Sequence, residues 1–160
     1  MRNKLLALLL SAAVLFGCVP CPASDISITA SAVIPSSSAI VAHYTAGATI
    51  TAGQLVYYDT ATSTVKLADA NASAAASTVR GIAVNGASSG QSINVCTYDP
   101  ELTIGGTLTV GDVLFCSATA GGIAPAADVA SGWYVTVIGV VVSSTKICFG
   151  TTMRSAAAKS

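Results

Sequence analysis

The chain has 160 residues and a mass of 15.8 kDa, the size of one domain. Charged residues make up 9%, against roughly a quarter in ordinary soluble domains, and 7 basic residues balance 7 acidic ones. That excludes a basic surface for nucleic-acid phosphates and leaves a neutral exterior of Ser, Thr and Asn suited to burial against other subunits.

Residues 1–24 have the form of a bacterial export signal. Arg2 and Lys4 precede a largely apolar run from Leu5 to Phe16, too short for a comfortable membrane span. Two endings compete. Leu15-Phe16-Gly17-Cys18 resembles a lipobox, which would make Cys18 a lipidation site, although Phe16 stands where a small residue is usual. Cys21-Pro22-Ala23 offers small residues to an ordinary signal peptidase. A third reading is an uncleaved apolar arm or an over-extended start. Membrane contact is expected only if the segment is a true signal. Without residues 1–24, 5 basic residues face 7 acidic ones, a net charge of −2.

Asp25–Ile34 alternates apolar Ile26, Ile28 and Ala30 with Ser27, Thr29 and Ser31, which predicts a half-buried strand. Pro35 to Ser38 breaks it, and Ala39–Thr45 resumes with Ile40, Ala42 and Tyr44. The phrase Ile50-Thr51-Ala52-Gly53 then opens a unit that returns 58 residues later at Leu108-Thr109-Val110-Gly111. Val65-Lys66-Leu67-Ala68 and Gly81-Ile82-Ala83-Val84 recur at the same offset, at Ile123 and Gly139. Strands are predicted at 54–59, 64–68, 79–84, 91–98, 102–104, 107–110, 112–117, 122–126, 133–142 and 145–150. Asn85-Gly86, Ser89-Gly90 and Gly121-Gly122 mark turns. Asp99 and Glu101 straddle Pro100, which predicts a further turn. Ala68–Ser77 is Ala-rich but lacks side chains large enough to pack a helix, and reads as a loop or a single helical turn.

The expected fold is all-β: an antiparallel β-sandwich or small barrel of two pseudo-repeats, about 48–98 and 106–150, in one domain at 25–150. Residues 151–160 read as a flexible tail.

The residues offer little chemistry. His43 is the only histidine, which leaves no His-based metal cage and no second candidate for a triad. The acids are dispersed, Asp69 and Asp128 stand where a turn would need capping, and no glycine stretch continues into a phosphate-binding loop. No catalytic, cofactor-binding or metal-binding residue is expected. Cys96, Cys116 and Cys148 sit in apolar strand patterns and read as small buried hydrophobes. Arg80 reads as an exposed strand charge, with an acidic patch on a neighbouring subunit as the alternative partner. Trp133 and Tyr134 open the longest apolar strand, expected to be central or buried at an interface. With Tyr44, Tyr57 and Tyr58, they are the possible interface anchors, each with an ordinary core position as the alternative.

The Gly and hydrophobic patterning carries a resemblance. Ile50-Thr51-Ala52-Gly53, Val65-Lys66-Leu67-Ala68, Gly81-Ile82-Ala83-Val84-Asn85, Gly90-Gln91-Ser92-Ile93-Asn94-Val95, Gly105 to Leu114 and Val137-Ile138-Gly139-Val140 follow one another in order. Over about two thirds of the chain this resembles the capsid decoration proteins of tailed bacteriophages, also called cement or head-fibre proteins. The resemblance implies a non-catalytic virion protein on the capsid exterior, a homotrimer that contacts the major capsid protein. The export-like amino terminus departs from it, because such proteins assemble in the cytoplasm. The other expectation is therefore an exported bacterial or prophage-encoded surface lipoprotein with a β-rich binding or adhesion domain, at the outer membrane or cell surface.

Overall fold

The computed structural model describes residues 24–155 and 157–160. Ten strands form one antiparallel sheet curled into a half-barrel. In chain order they are β1 (Val33–Ile34), β2 (Ile40–Thr45), β3 (Leu55–Asp59), β4 (Thr64–Leu67), β5 (Val79–Ala83), β6 (Ser92–Ile104), β7 (Val113–Cys116), β8 (Ile123–Pro125), β9 (Thr136–Ser143) and β10 (Lys146–Arg154). The main path is β4-β3-β5-β6-β10-β9-β7-β8, with β1 and β2 added to β6. Helical structure among the described residues is limited to two 3₁₀ turns, Ala30–Ala32 and Ala126–Asp128.

The duplication holds at the level of register. Val56 pairs Leu67, and 58 residues later Leu114 pairs Pro125. Leu55 pairs Ile82 and Val56 pairs Gly81, just as Val113 pairs Val140 and Leu114 pairs Gly139. A bulge follows at the same step in both units, leaving Arg80 and Ile138 as the extra residues on β5 and β9. The turn bonds repeat too: Gly53 N donates to Ala83 O at 2.8 Å and Gly111 N to Val141 O at 2.9 Å. The path therefore reads as β4-β3-β5-β6 joined back to back with β8-β7-β9-β10.

Strand β6 organises the halves. Its first part pairs with β2 and β5, and its second part with β1 and β10. Tyr98-Asp99-Pro100-Glu101, expected to be a turn between two strands, lies inside this single strand. The reason is a bulge: Asp99 to Leu102 on β6 spans Phe149 to Ile147 on β10, so one residue of β6 is extra and Pro100 costs the ladder no donor there. Asp99 is fully buried, and its carboxylate accepts from Ser36 N at 2.7 Å, Ser36 Oγ at 2.5 Å and Glu101 N at 2.9 Å. Turn chemistry is present, but it stabilises a bend in a strand.

Three other expectations change. Residues 25–32 are not a strand: Ile26 and Ile28 pack against the central core, and only Val33–Ile34 joins the sheet. Residues 107–109 carry no strand and lead into a turn at Val110-Gly111, and β9 begins at Thr136 because the Trp133 carbonyl accepts from Lys159 N, outside the ladders of β7 and β10. Strand β10 runs to Arg154, and Ser155 N donates to Val135 O, so residues after Phe149 continue the pairing where a tail was expected.

Two cores result. Unit 1 closes on itself where Ala46 bridges Val65, enclosing Ile50, Val56, Val65, Ala83, Ile93 and Val95. A larger cluster lies between the units and includes Leu55, Ile82, Leu102, Leu114, Trp133, Ile138 and Phe149. Buried Thr136 Oγ1 donates to Ser77 O at 2.7 Å, and Gly121 N donates to Ala68 O at 2.7 Å, so each unit completes bonds of the other.

Candidate functional site

A cleft of about 630 Å³ opens at the mouth of unit 1's closed half. Its walls come from β2 (His43, Tyr44, Thr45), Tyr58 on β3, Arg80 on β5, Ser92 on β6 and Ser63 in the β3–β4 turn. Alternation explains the placement of Tyr58: Val56, two residues earlier on the same face, fills the enclosed core, and Tyr58 continues that face beyond it. Tyr44 packs on the edge of the same core. The β5 bulge carries Arg80 to the mouth, where its Nε donates to the Tyr44 hydroxyl at 2.6 Å and its guanidinium carbon lies 5.8 Å from the centroid of that ring. The Tyr44 and Tyr58 rings are 5.9 Å apart and tilted by 52°. His43 Nδ1 bonds the Asn94 side-chain oxygen at 2.6 Å.

The duplicated register supplies a comparison. Tyr58 corresponds to Cys116, Arg80 to Ile138 and Ser63 to Gly121. Cys116 and Ile138 are buried in the central core, so unit 2 completes this strand arrangement with apolar side chains. Ser63 holds φ at +54°, while Gly121 sits at +80°. Unit 1 thus places a hydroxyl where the matching backbone region favours glycine.

A second surface lies on unit 2. Val113 and Val140 pair across β7 and β9 and are 36% and 40% exposed; Val142 on β9 and Val110 in the preceding turn are 44% and 64% exposed. Their counterparts are Leu55 and Ile82, both fully buried, the half-buried Val84 and the half-buried Ala52. Among the described residues, unit 1 therefore has both faces of its β3–β5 pair covered, and unit 2 has one face uncovered. The strip contains no charged side chain.

Tyr44 and Tyr58 are brought together in the cleft. Tyr57 points away and packs half-buried against the central core, Trp133 is buried in that core, and Tyr134 is half-buried with its N–H donated to Ala70 O at 2.8 Å. Cys18 lies outside the described residues. Arg80, expected as an exposed strand charge, and His43, the single histidine, join the tyrosines at the cleft, and the strip of Val110, Val113, Val140 and Val142 is a second surface that the sequence patterning did not mark. The signal for both was in the repeat: Arg80 opposite Ile138 marks the cleft, and Leu55 opposite Val113 marks the strip once burial is known.

Charge elsewhere is local. Lys66 Nζ lies 2.7 Å from Asp59 Oδ2, and with Thr62 and the Ala61 N–H it holds the Asp59 carboxyl down at about 2. Burial pushes the Cys96 thiol up to about 11 and the Cys116 thiol up to about 12, with nearby carboxylates adding to both, so these are packing groups and not nucleophiles. Among the described residues, no three metal-ligating side chains gather. No protein-family model matches the chain, and no curated protein or solved structure does either.

Proposed function

We propose that the protein is a non-catalytic structural component of a tailed-phage virion that decorates and stabilises the capsid exterior, as a homotrimer in contact with the major capsid protein. The observation that carries this reading is the uncovered Val110–Val113–Val140–Val142 strip on a domain in which only 9% of residues are charged. Covering an apolar sheet face gives contact energy in proportion to area, roughly 25 cal/mol per Å². A repeating shell multiplies such modest contacts over many sites, and a component that binds only the assembled lattice stabilises it by mass action. The resemblance of the Gly and apolar blocks to those of decoration proteins supports the same reading, and the blocks that open at Ile50, Val65, Gly81 and Val137 fall on the duplicated turns and strand pairs.

Residues 1–24 keep a second reading alive, an exported surface lipoprotein with a β-rich binding domain, because Gly17-Cys18 has lipobox form. The test is the intact mass of protein purified from its natural source, combined with sedimentation through a density gradient. A mass starting at Met1 or Arg2, in fractions that contain capsids, supports decoration. A mass starting at Cys18 with added acyl chains, in membrane fractions, replaces it with the lipoprotein reading. A start near Ser24 without particles points to secretion and overturns both.

A further inference from the structure

We propose that the cleft between Tyr44, Tyr58 and Arg80 is a binding site for an acidic sugar, with the carboxylate on Arg80 and the ring against Tyr58. Among the described residues, Arg80 bonds the protein through Nε alone, to Tyr44 Oη, and makes no ion pair. Its terminal guanidinium nitrogens keep the paired geometry that suits a carboxylate. The contact with the Tyr44 ring fixes the side chain before any ligand arrives, which reduces the ordering cost of binding.

The lining contains no Asp or Glu, so the local field favours an anion. Tyr58 is 40% exposed and presents an apolar face, while Thr45, Ser63, Ser92 and His43 place hydroxyls and a ring nitrogen around it. One apolar platform with polar groups around it fits a polyhydroxylated ring. A nucleic-acid strand is a poor match, because a backbone of phosphates needs several cations and the lining holds one arginine.

Divergence between the repeats strengthens the assignment. The fold does not require these side chains, since unit 2 has Cys116 for Tyr58, Ile138 for Arg80 and Gly121 for Ser63 in the same register. Ser63 also holds a positive φ, a local strain that the fold avoids at Gly121. Three substitutions that turn an apolar or glycine position into a polar or aromatic one converge on a single opening.

The experiment is calorimetric titration of the full chain with a galacturonic acid trimer and with the neutral galactose trimer. The expected result is saturable binding of the acidic trimer, and binding of the neutral trimer weaker by roughly tenfold or more, the share carried by a charge-assisted pair. Arg80→Gln should remove that difference, and Tyr58→Ala should weaken both trimers. Thermal melts check that each variant folds, and Tyr58→Trp, which keeps a stacking face, should retain binding. Equal binding of both trimers, binding unchanged by Arg80→Gln, or no saturable binding of the acidic trimer would each overturn the proposal.

Discussion

Gly81 and Gly139 occupy the same place in the two units, each with its Cα pressed against a cysteine carbonyl on the next strand. A Cβ at Gly81 would collide with Cys96 O, and one at Gly139 would collide with Cys148 O. The cysteine carbonyl is backbone in both cases and cannot move aside as a side chain could, and at Gly81 the Val95 side chain stands in the way as well. Gly81→Ala and Gly139→Ala should each destabilise the domain by about 1–3 kcal/mol, the cost of forced overpacking. Chemical denaturation of the two single variants checks this, and similar losses are expected because the two sites share one geometry.

Asp99 supports the bend of β6, and its loss should be felt throughout the sheet. Its two oxygens accept three bonds, from Ser36 N, Ser36 Oγ and Glu101 N, in a fully buried position. An asparagine keeps one acceptor and turns an amide toward donors, so Asp99→Asn should cost about 1–3 kcal/mol. Denaturant midpoints measured with unchanged slopes would show the loss, and a midpoint equal to wild type would refute the role given to this carboxylate.

The Asp99 bend also shows where sequence reasoning stops. Asp-Pro followed by Glu is locally a turn signal, and only pairing with β10, from 45 or more residues further along, makes it a bulge inside one strand. The duplication was legible because Gly53, Gly81, Gly111 and Gly139 punctuate it, and the offset holds through all the β3–β5 pairs and all the β3–β4 pairs except Asp59–Thr64. The cleft was not legible. Tyr44, Tyr58 and Arg80 come from three strands, and alternation says which face each takes but not that a bulge turns Arg80 toward the tyrosines. Trp133 illustrates the reverse error, since an aromatic that suits an interface equally suits a core.

Alkali should unfold the protein through its buried thiols. Folding raises the thiols of Cys96 to about 11 and of Cys116 to about 12, from an ordinary value of 9.0, chiefly by burial. The folded state therefore holds protons that the unfolded state releases, and stability falls as pH rises from about 9 toward 12. The size is on the order of a few kcal/mol across that window, at about 1.4 kcal/mol per pKa unit. Cys116→Ala should flatten the alkaline slope while lowering stability at neutral pH by opening a cavity. At pH 8 iodoacetamide should leave Cys96 and Cys116 unmodified until denaturant is added.

The acid limb has the opposite sign. Lys66, Thr62 and the Ala61 N–H hold Asp59 at about 2 against an ordinary 3.8. The stabilisation is present above pH 4 and is lost as pH falls toward 2. Lys66→Gln should reduce the slope of stability against pH in that window, and added salt should do the same to wild type because the pair faces solvent. An unchanged slope in Lys66→Gln would assign acid sensitivity to other carboxylates.

Leu55 and Val113 are the same position in the two repeats with opposite surroundings, and that difference separates folding from association. Leu55 is fully buried between the units, so Leu55→Ala should cost about 2–5 kcal/mol of stability in the way of core truncations. Val113 faces solvent in the single chain, and Val113→Ala should change its stability by less than about 0.5 kcal/mol. If the strip is an interface, charge placed there must be desolvated on assembly, so Val113→Lys with Val140→Glu, an opposite-charge pair across β7 and β9, should abolish self-association or capsid attachment while the melt stays near wild type. Sedimentation velocity on the double variant and on Leu55→Ala gives the decisive contrast. Lost assembly with an intact fold would mark the strip as a contact surface, whereas unchanged assembly would leave the two valines as ordinary exposed residues and remove the main support for a decorating role.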